Sequence, residues 1–328
     1  MCNINIPHPN FPLPIYLLSK VRYPCFLKAP FLTSCKGHSM IKTEAEMVVA
    51  LAKLEELCRP YFTGYSEFFR RFLDLEKFPL AVKNIALVEE LVDSGEQYCV
   101  KGWVDEAGKF TLWSIGYEIV SPKTMGSLLC WVFPQFTLKK DAFDGMVKCT
   151  NKLGQRFGLR STFYDAEFWK RGDELTLIEM NGRSSTIASQ AYKTMWGTSI
   201  YEAAVNLACG ETAKLQLIPV AAVHKDGDPI SGQFISYTCW EGKGEEFVDF
   251  DYARAGCHSD GVYGNDGPGM TLGVAEESLV QQVSSNGFVL GHFLLSDHSS
   301  ANIFRRAKEV VSKFVRRSED RDLFDFNI

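Results

Sequence analysis

The feature that most constrains this chain is a pair of runs, Arg160 to Trp169 and Leu175 to Asn181, joined by Arg171-Gly172-Asp173-Glu174. Two such runs around a short polar, glycine-containing turn read as an antiparallel β-hairpin. Glu179 and Asn181 stand two residues apart in the second run, so both side chains leave the same face. If the turn centres on Asp173, Glu167 falls opposite Glu179. Directly opposed residues have Cβ atoms about 4.5–5.5 Å apart. The neighbouring Phe168 and Ile178 are apolar, which makes this face half-buried. Two carboxylates held that close repel, and one is driven toward protonation unless a cation sits between them. Two carboxylates and an amide oxygen suit Mg²⁺, a hard ion that completes its shell with water and phosphate oxygens. Arg183 adds a cation at the rim, suited to phosphate. The alternative is an exposed hairpin whose glutamates are simply solvated.

The rest of the chain alternates hairpins with capped helices. Tyr23 to Lys28 reads as a short strand stopped by Pro30, followed by a polar loop, Thr33 to Ser39. Thr43 and Glu46 make a capping box. The helix behind it carries Val48, Leu51, Leu54 and Leu57 or Cys58. Ile85 to Val92 is a buried-looking strand broken at Asp93-Ser94-Gly95. Tyr98 to Val104 and Phe110 to Val120 form a hairpin around Asp105 to Lys109. Asp141 caps a helix with Phe143, Val147, Thr150, Leu153 and Phe157 on one face, closed by Gly158. Ser199 to Cys209 is another helix, closed by Gly210, and a final amphipathic helix carries Ile303, Ala307, Val310, Val311 and Phe314. This order defines an α+β chain. Gly264 to Gly269 is glycine-dense with no lysine after it, which reads as a surface loop.

Composition narrows the function classes. The 328 residues are 46% hydrophobic and 23% charged with net charge −5, the profile of a globular protein with a large core. The mild acidity and scattered basic residues argue against nucleic acid as a partner. No run reaches the roughly 18 apolar residues of a membrane-spanning helix, so no membrane partner is expected. The ten cysteines are scattered without a CxxC pair, and the Pro-rich N-terminus lacks the basic start of a signal peptide. Together these suggest reduced thiols in a cytoplasmic protein. The P-loop, GxGxxG, HExxH and GxSxG motifs are absent.

Leu177-Ile178-Glu179-Met180-Asn181-Gly182-Arg183 resembles the Glu-(Ile/Met)-Asn-x-Arg signature of the ATP-grasp superfamily, as in biotin carboxylase and the carboxylate–amine ligases. Upstream, Tyr23 to Pro30 resembles that family's strand ending in Lys-Pro. Val88 to Val92 with Gly95-Glu96 resembles its hinge strand, with Glu89 and Glu96 seven residues apart. Glu167 stands twelve residues before Glu179, where the family keeps its other metal carboxylate. The resemblance covers roughly residues 20 to 212; Gly287 to Phe314 is a softer match to the closing strand and helix of some members.

The resemblance implies two α+β lobes holding ATP between antiparallel sheets. It divides the chain into residues 1–92 (N-terminal segment and small lobe), 93–212 (large lobe with the metal hairpin) and 213–328 (a C-terminal α+β subdomain). It implies that Lys28 reaches the phosphates and that Lys36, in the loop after it, can still cover them; Lys123 stands where many members place a second phosphate lysine, with a solvated turn lysine as the alternative. The backbone of Leu91 and Val92 reads the adenine edge, Glu89 accepts from its amine and Glu96 accepts from ribose. Glu167, Glu179 and Asn181 hold Mg²⁺, or Mn²⁺ in its place, and Arg183 stabilises the transferring phosphoryl group. The implied activity is ATP-dependent formation of an acyl-phosphate from a small carboxylate, then attack by an amine. A non-catalytic ATP-binding module of the same fold is the second reading.

There are departures. The loop after Lys28 has only Gly37, Gly182 replaces the usual proline, and Asp165 stands where some ligases carry a substrate-binding arginine. Typical members begin with an extra α/β domain, for which only about 20 residues stand here. The apolar groups of those residues, Ile4 and Ile6 among them, are expected to pack onto the body, or the face so left open to be covered in a homodimer or by a partner chain.

Overall fold

The computed structural model describes residues 4–8, 20–32, 37–92, 94–121, 128–133, 138–184, 189–197, 199–211, 230–255, 263–264, 267–268, 270–280 and 288–322. The chain divides into two compact units. The first is Met1–Asp93 with Gln282–Phe288; the second is Ser94–Gln281 with Val289–Ile328.

The first unit is a four-stranded antiparallel sheet under one long helix. Its strands are β1 (Ile4–His8), β2 (Cys25–Lys28), β3 (Ser39–Ile41) and β4 (Asn84–Glu90), in the order β1-β4-β2-β3. Helix α1 (Glu44–Phe72) starts at Thr43, whose hydroxyl accepts from the Glu46 N–H, while the Glu46 carboxylate accepts from the Lys42 N–H. Met47, Leu51, Leu54 and Cys58 of α1 pack on Cys25, Leu27, Ile41, Ala86 and Val88. Met47 takes the core position expected of Val48, which is exposed. The helix continues through Pro60 to Phe72. The pairing of Ile4 with Val88 through His8 with Asn84 sets β1 against the edge of β4.

The second unit is built on a long antiparallel sheet. It comprises β5 (Glu96–Val104), β6 (Phe110–Val120), β7 (Leu128–Phe133), β8 (Thr162–Arg171), β9 (Glu174–Asn181), β10 (Ile230–Thr238) and β11 (Phe288–Asp297). Their order is β11-β10-β7-β6-β5-β8-β9. After residue 213, Ile230–Thr238 and Phe288–Asp297 extend this sheet, while Gly242–Lys243 and Leu279–Val280 pair as a separate two-stranded sheet. Between α1 and the end of the chain run α2 (Lys140–Phe157), α3 (Ser189–Trp196), α4 (Ile200–Ala208), the short helices Gly244–Phe247 and Phe250–Ala255, and α5 (Ser300–Phe314). At the sheet's far edge Tyr263–Gly264 and Gly267–Pro268 pair as two short antiparallel strands, where a plain loop was expected; residues 265, 266 and 269 of that run lie outside the described residues.

Strand alternation gives the sheet two differently used faces. Tyr98, Val100, Val104, Tyr164, Ala166 and Phe168 face α2 and its Met146. Cys99, Trp103, Trp113, Trp131, Phe133 and Phe163 face the other way, against Tyr192 of α3 and Ile200, Ala203 and Leu207 of α4. Helix α2 begins two residues earlier than expected, with Lys139 as its N-cap and Asp141 inside the first turn, where its charge favours the helix dipole. Gly158 ends it in the left-handed conformation, φ 66°, which an L side chain resists.

Candidate functional site

The hairpin β8–β9 places its acids by a register that shifts. From the turn, Arg171 pairs with Glu174 and Phe168 with Leu177. A bulge then inserts Ile178, after which Glu167 pairs with Glu179 and Asp165 with Asn181. The turn is thus half a residue off the centre expected on Asp173, and the bulge restores the Glu167–Glu179 pairing. Glu167 is half-buried and Glu179 exposed. The Asn181 amide nitrogen donates to Glu179 Oε1 at 2.8 Å, and its carbonyl oxygen takes no partner among the described residues. Arg183 is exposed and donates to the Ser184 carbonyl at 3.3 Å.

Glu167 is the acid of the pair that is driven toward protonation. Burial pushes its carboxyl well above the usual range, and Glu118, Asp165 and then Glu179 add to the shift, opposed by Lys101. The facing glutamate contributes less than two acids that sequence reasoning did not select. Glu118 lies on β6, buried at 3% exposure, where it accepts from the Trp131 indole N–H and from Gln97 Nε2. Asp165 is equally buried and takes the Lys101 ammonium at 2.5 Å. Burial pulls the Lys101 pKa down, but Asp165, Cys99, Tyr192 and Glu118 hold it well above its ordinary value. The signal for Lys101, Gln97 and Cys99 was present in the alternation of β5, which gives them one face; that Glu118 meets them depends on the pairing of Gln97 with Glu118. Among the described residues no three His, Cys, Asp or Glu side chains form a ready metal cage.

The expected nucleotide residues fall in both units. In the first, Phe26 stands opposite Glu89 and Lys28 opposite Leu87, on the sheet face turned away from α1. Lys28 Nζ meets Glu89 Oε2 at 2.9 Å, so the lysine expected at phosphates and the acid expected at adenine hold one another. Leu91 and Val92 follow β4 and are half-buried. In the second unit, Glu96 opens β5 and receives Lys170 Nζ at 2.9 Å. Lys36 and Lys123 lie outside the described residues.

No family model and no curated protein matches the sequence. Solved structures do match the fold. The L-amino acid ligase of Bacillus licheniformis aligns with a TM-score of 0.65 at 16% identity, over 91% of this chain and 65% of its own. The biotin carboxylase of Campylobacter jejuni, solved as a β-γ-ATP complex, aligns at 0.58 and 14%, over 94% and 62%. The phosphoribosylglycinamide synthetase of Anaerococcus prevotii aligns at 0.55 and 12%, over 96% and 69%. The chain has the ATP-grasp fold, as the hairpin motif and the upstream strands led us to expect. It spans less than two thirds of the length of the first two of these enzymes.

Proposed function

We propose that this chain is an ATP-dependent ligase of the carboxylate–amine type. The observation that carries the reading is the bulged hairpin, which sets Glu167 against Glu179 with the Asn181 oxygen beside them. An all-oxygen donor set beside an accumulation of buried negative charge fits a hard divalent cation, Mg²⁺ with Mn²⁺ as substitute. Bound MgATP supplies the transferable phosphoryl group and the cation that neutralises it. The chain's own residues then divide the work. Lys28, with Lys36 and Lys123, neutralises phosphate charge. Glu89 and the Leu91–Val92 backbone select adenine, and Glu96 accepts from ribose hydroxyls. Arg183 stabilises the charge that develops as the phosphoryl group passes to a small carboxylate, whose acyl-phosphate an amine then attacks.

The exposed position of Arg183, bonded to its neighbour's carbonyl, favours a second reading, a nucleotide-binding module without turnover. The deciding experiment is ADP release from ATP with pools of amino acids and small carboxylates, with and without Mg²⁺. Mg-dependent release with one pool supports the ligase. Tight ATP binding without release from any pool supports the binding module.

A further inference from the structure

Between the buried Glu118 and the half-buried Glu167 stands the amide of Gln97. Gln97 Nε2 donates to Glu118 Oε2 at 2.5 Å and lies 3.4 Å from Glu167 Oε2. Its neighbours are carboxyl oxygens on both sides, and the amide is assigned with its nitrogen toward them. Glu118 is held in turn by the Trp131 indole, which donates to its other oxygen. The strand register makes this one row: Trp131 stands opposite Glu118, and Glu118 opposite Gln97. Trp131 is itself packed in the core, with the Lys101 ammonium 5.7 Å from its ring centroid. A continuous chain of hydrogen bonds therefore runs from β7 through β6 and β5 to Glu167 on β8.

We infer that Gln97 and Glu118 are positioning residues for Glu167: the Gln97 amide holds Glu167 Oε2, so that Oε1 is the oxygen presented toward Glu179 and the shared cation. This deepens the proposed function and rests on its assignment of Glu167, Glu179 and Asn181 to a divalent cation. Two features argue for orientation rather than packing. A carboxylate on a half-buried strand has two rotatable bonds beyond its Cβ, and among the described residues Gln97 supplies the hydrogen bond that restrains it. An acid at position 97 would set three carboxylates together, whereas a neutral amide supplies two N–H groups to two acids. Partners of this kind, which orient a metal ligand without touching the metal, typically govern metal affinity by 10–100-fold.

The test is a Mn²⁺ titration of the full chain in the presence of ADP, with free Mn²⁺ read by electron paramagnetic resonance. Gln97→Met keeps the volume and removes both N–H groups. We expect its Mn²⁺ affinity to fall about tenfold or more, while ADP affinity without metal stays near wild type. A residue with a merely structural role would lower the melting temperature and leave this split unmoved. Should Gln97→Met fail to fold, Glu118→Gln carries the test. It keeps the shape but lets only one of the two donors be accepted as before, and a loss of about tenfold is expected, at the lower end of such effects. Wild-type Mn²⁺ affinity in whichever variant folds overturns the inference and leaves the ligase reading standing. A wild-type chain that binds Mn²⁺-ADP no better than Glu179→Gln overturns the cation site, and the inference with it.

Discussion

Lys101 and Asp165 show how much of this site is held by groups that never meet solvent. Each is about 3% exposed, and they meet at 2.5 Å. Removing one partner of such a pair leaves a buried charge uncompensated, which costs roughly 3–5 kcal/mol. Lys101→Met should lower the unfolding free energy by about that amount in urea, and Lys101→Met/Asp165→Leu should recover much of it. A single variant within about 1 kcal/mol of wild type would mean that the pair is hydrated in solution. Asp320 offers a second test at this scale. Burial pushes its carboxyl up to about 6, with Thr238, Arg317 and the Cys239 N–H pulling it back. An acid whose pKa is raised on folding binds its proton more tightly in the folded state. Its contribution is therefore full below the ordinary carboxyl range and is lost as pH rises through about 6. Asp320→Asn should raise the melting temperature at pH 8, and the difference should close near pH 4. A difference independent of pH would place the proton elsewhere.

At the scale of elements, two bulges set the site. One inserts Ile178 in β9 and keeps the acids opposed. The other lies between Lys101 and Gly102 of β5, where Ser114 and Leu112 are the partners and Trp113 is the extra residue. Trp113 stacks on Tyr192 of α3, with ring centroids 4.7 Å apart and planes at 12°. Gly102 permits this crossing, since a Cβ there would lie 2.2 Å from the Thr111 carbonyl oxygen and 2.5 Å from Tyr164 Oη. The obstacle on one side is backbone, so a side chain cannot be accommodated by a rotamer change. Gly102→Ala should destabilise the fold by about 3 kcal/mol, at the upper end of overpacking effects. Urea unfolding monitored by tryptophan fluorescence measures it, and a loss below about 0.5 kcal/mol, the size of an ordinary surface substitution, would refute the close approach.

At the scale of the whole molecule, each unit has its own apolar cluster: α1 against its sheet in the first, α2, α3 and α4 against the two faces of the long sheet in the second. No described helix is long and apolar enough to cross a membrane. The described cysteines are all free, and Cys25, Cys58, Cys99 and Cys130 are buried, where desolvation raises their thiol pKa values and disfavours the reactive thiolate. If the proposed function holds, MgATP binds the folded chain alone and stabilises it by mass action, by about 2.7 kcal/mol at a hundredfold excess over Kd. GTP should stabilise less, because its ring presents an acceptor where Glu89 would receive an amine N–H. Equal shifts in melting temperature for the two nucleotides would remove Glu89 from the adenine site.

The sequence by itself determined the hairpin, the helix stops and the face on which Glu167, Glu179 and Asn181 lie, because turn chemistry, caps and strand alternation act over a few residues. It also carried the likeness from Tyr23 to Arg183 that led to the fold. Local pattern misjudged Val48 and the start of α2, since a one-residue rotation of a helix face or a cap two residues away leaves its periodicity almost unchanged. Only the tertiary structure decided that Glu118, Asp165, Lys101 and Gln97 surround Glu167, with Trp131 anchoring the row. Those contacts join strands up to 70 residues apart, and they depend on register and on bulges that a one-residue slip would reverse. The same holds for the pairing of Lys28 with Glu89 and of Lys170 with Glu96. A charge's partner is set by which strands lie side by side, and that follows from the packing of the whole sheet rather than from any run of residues within it.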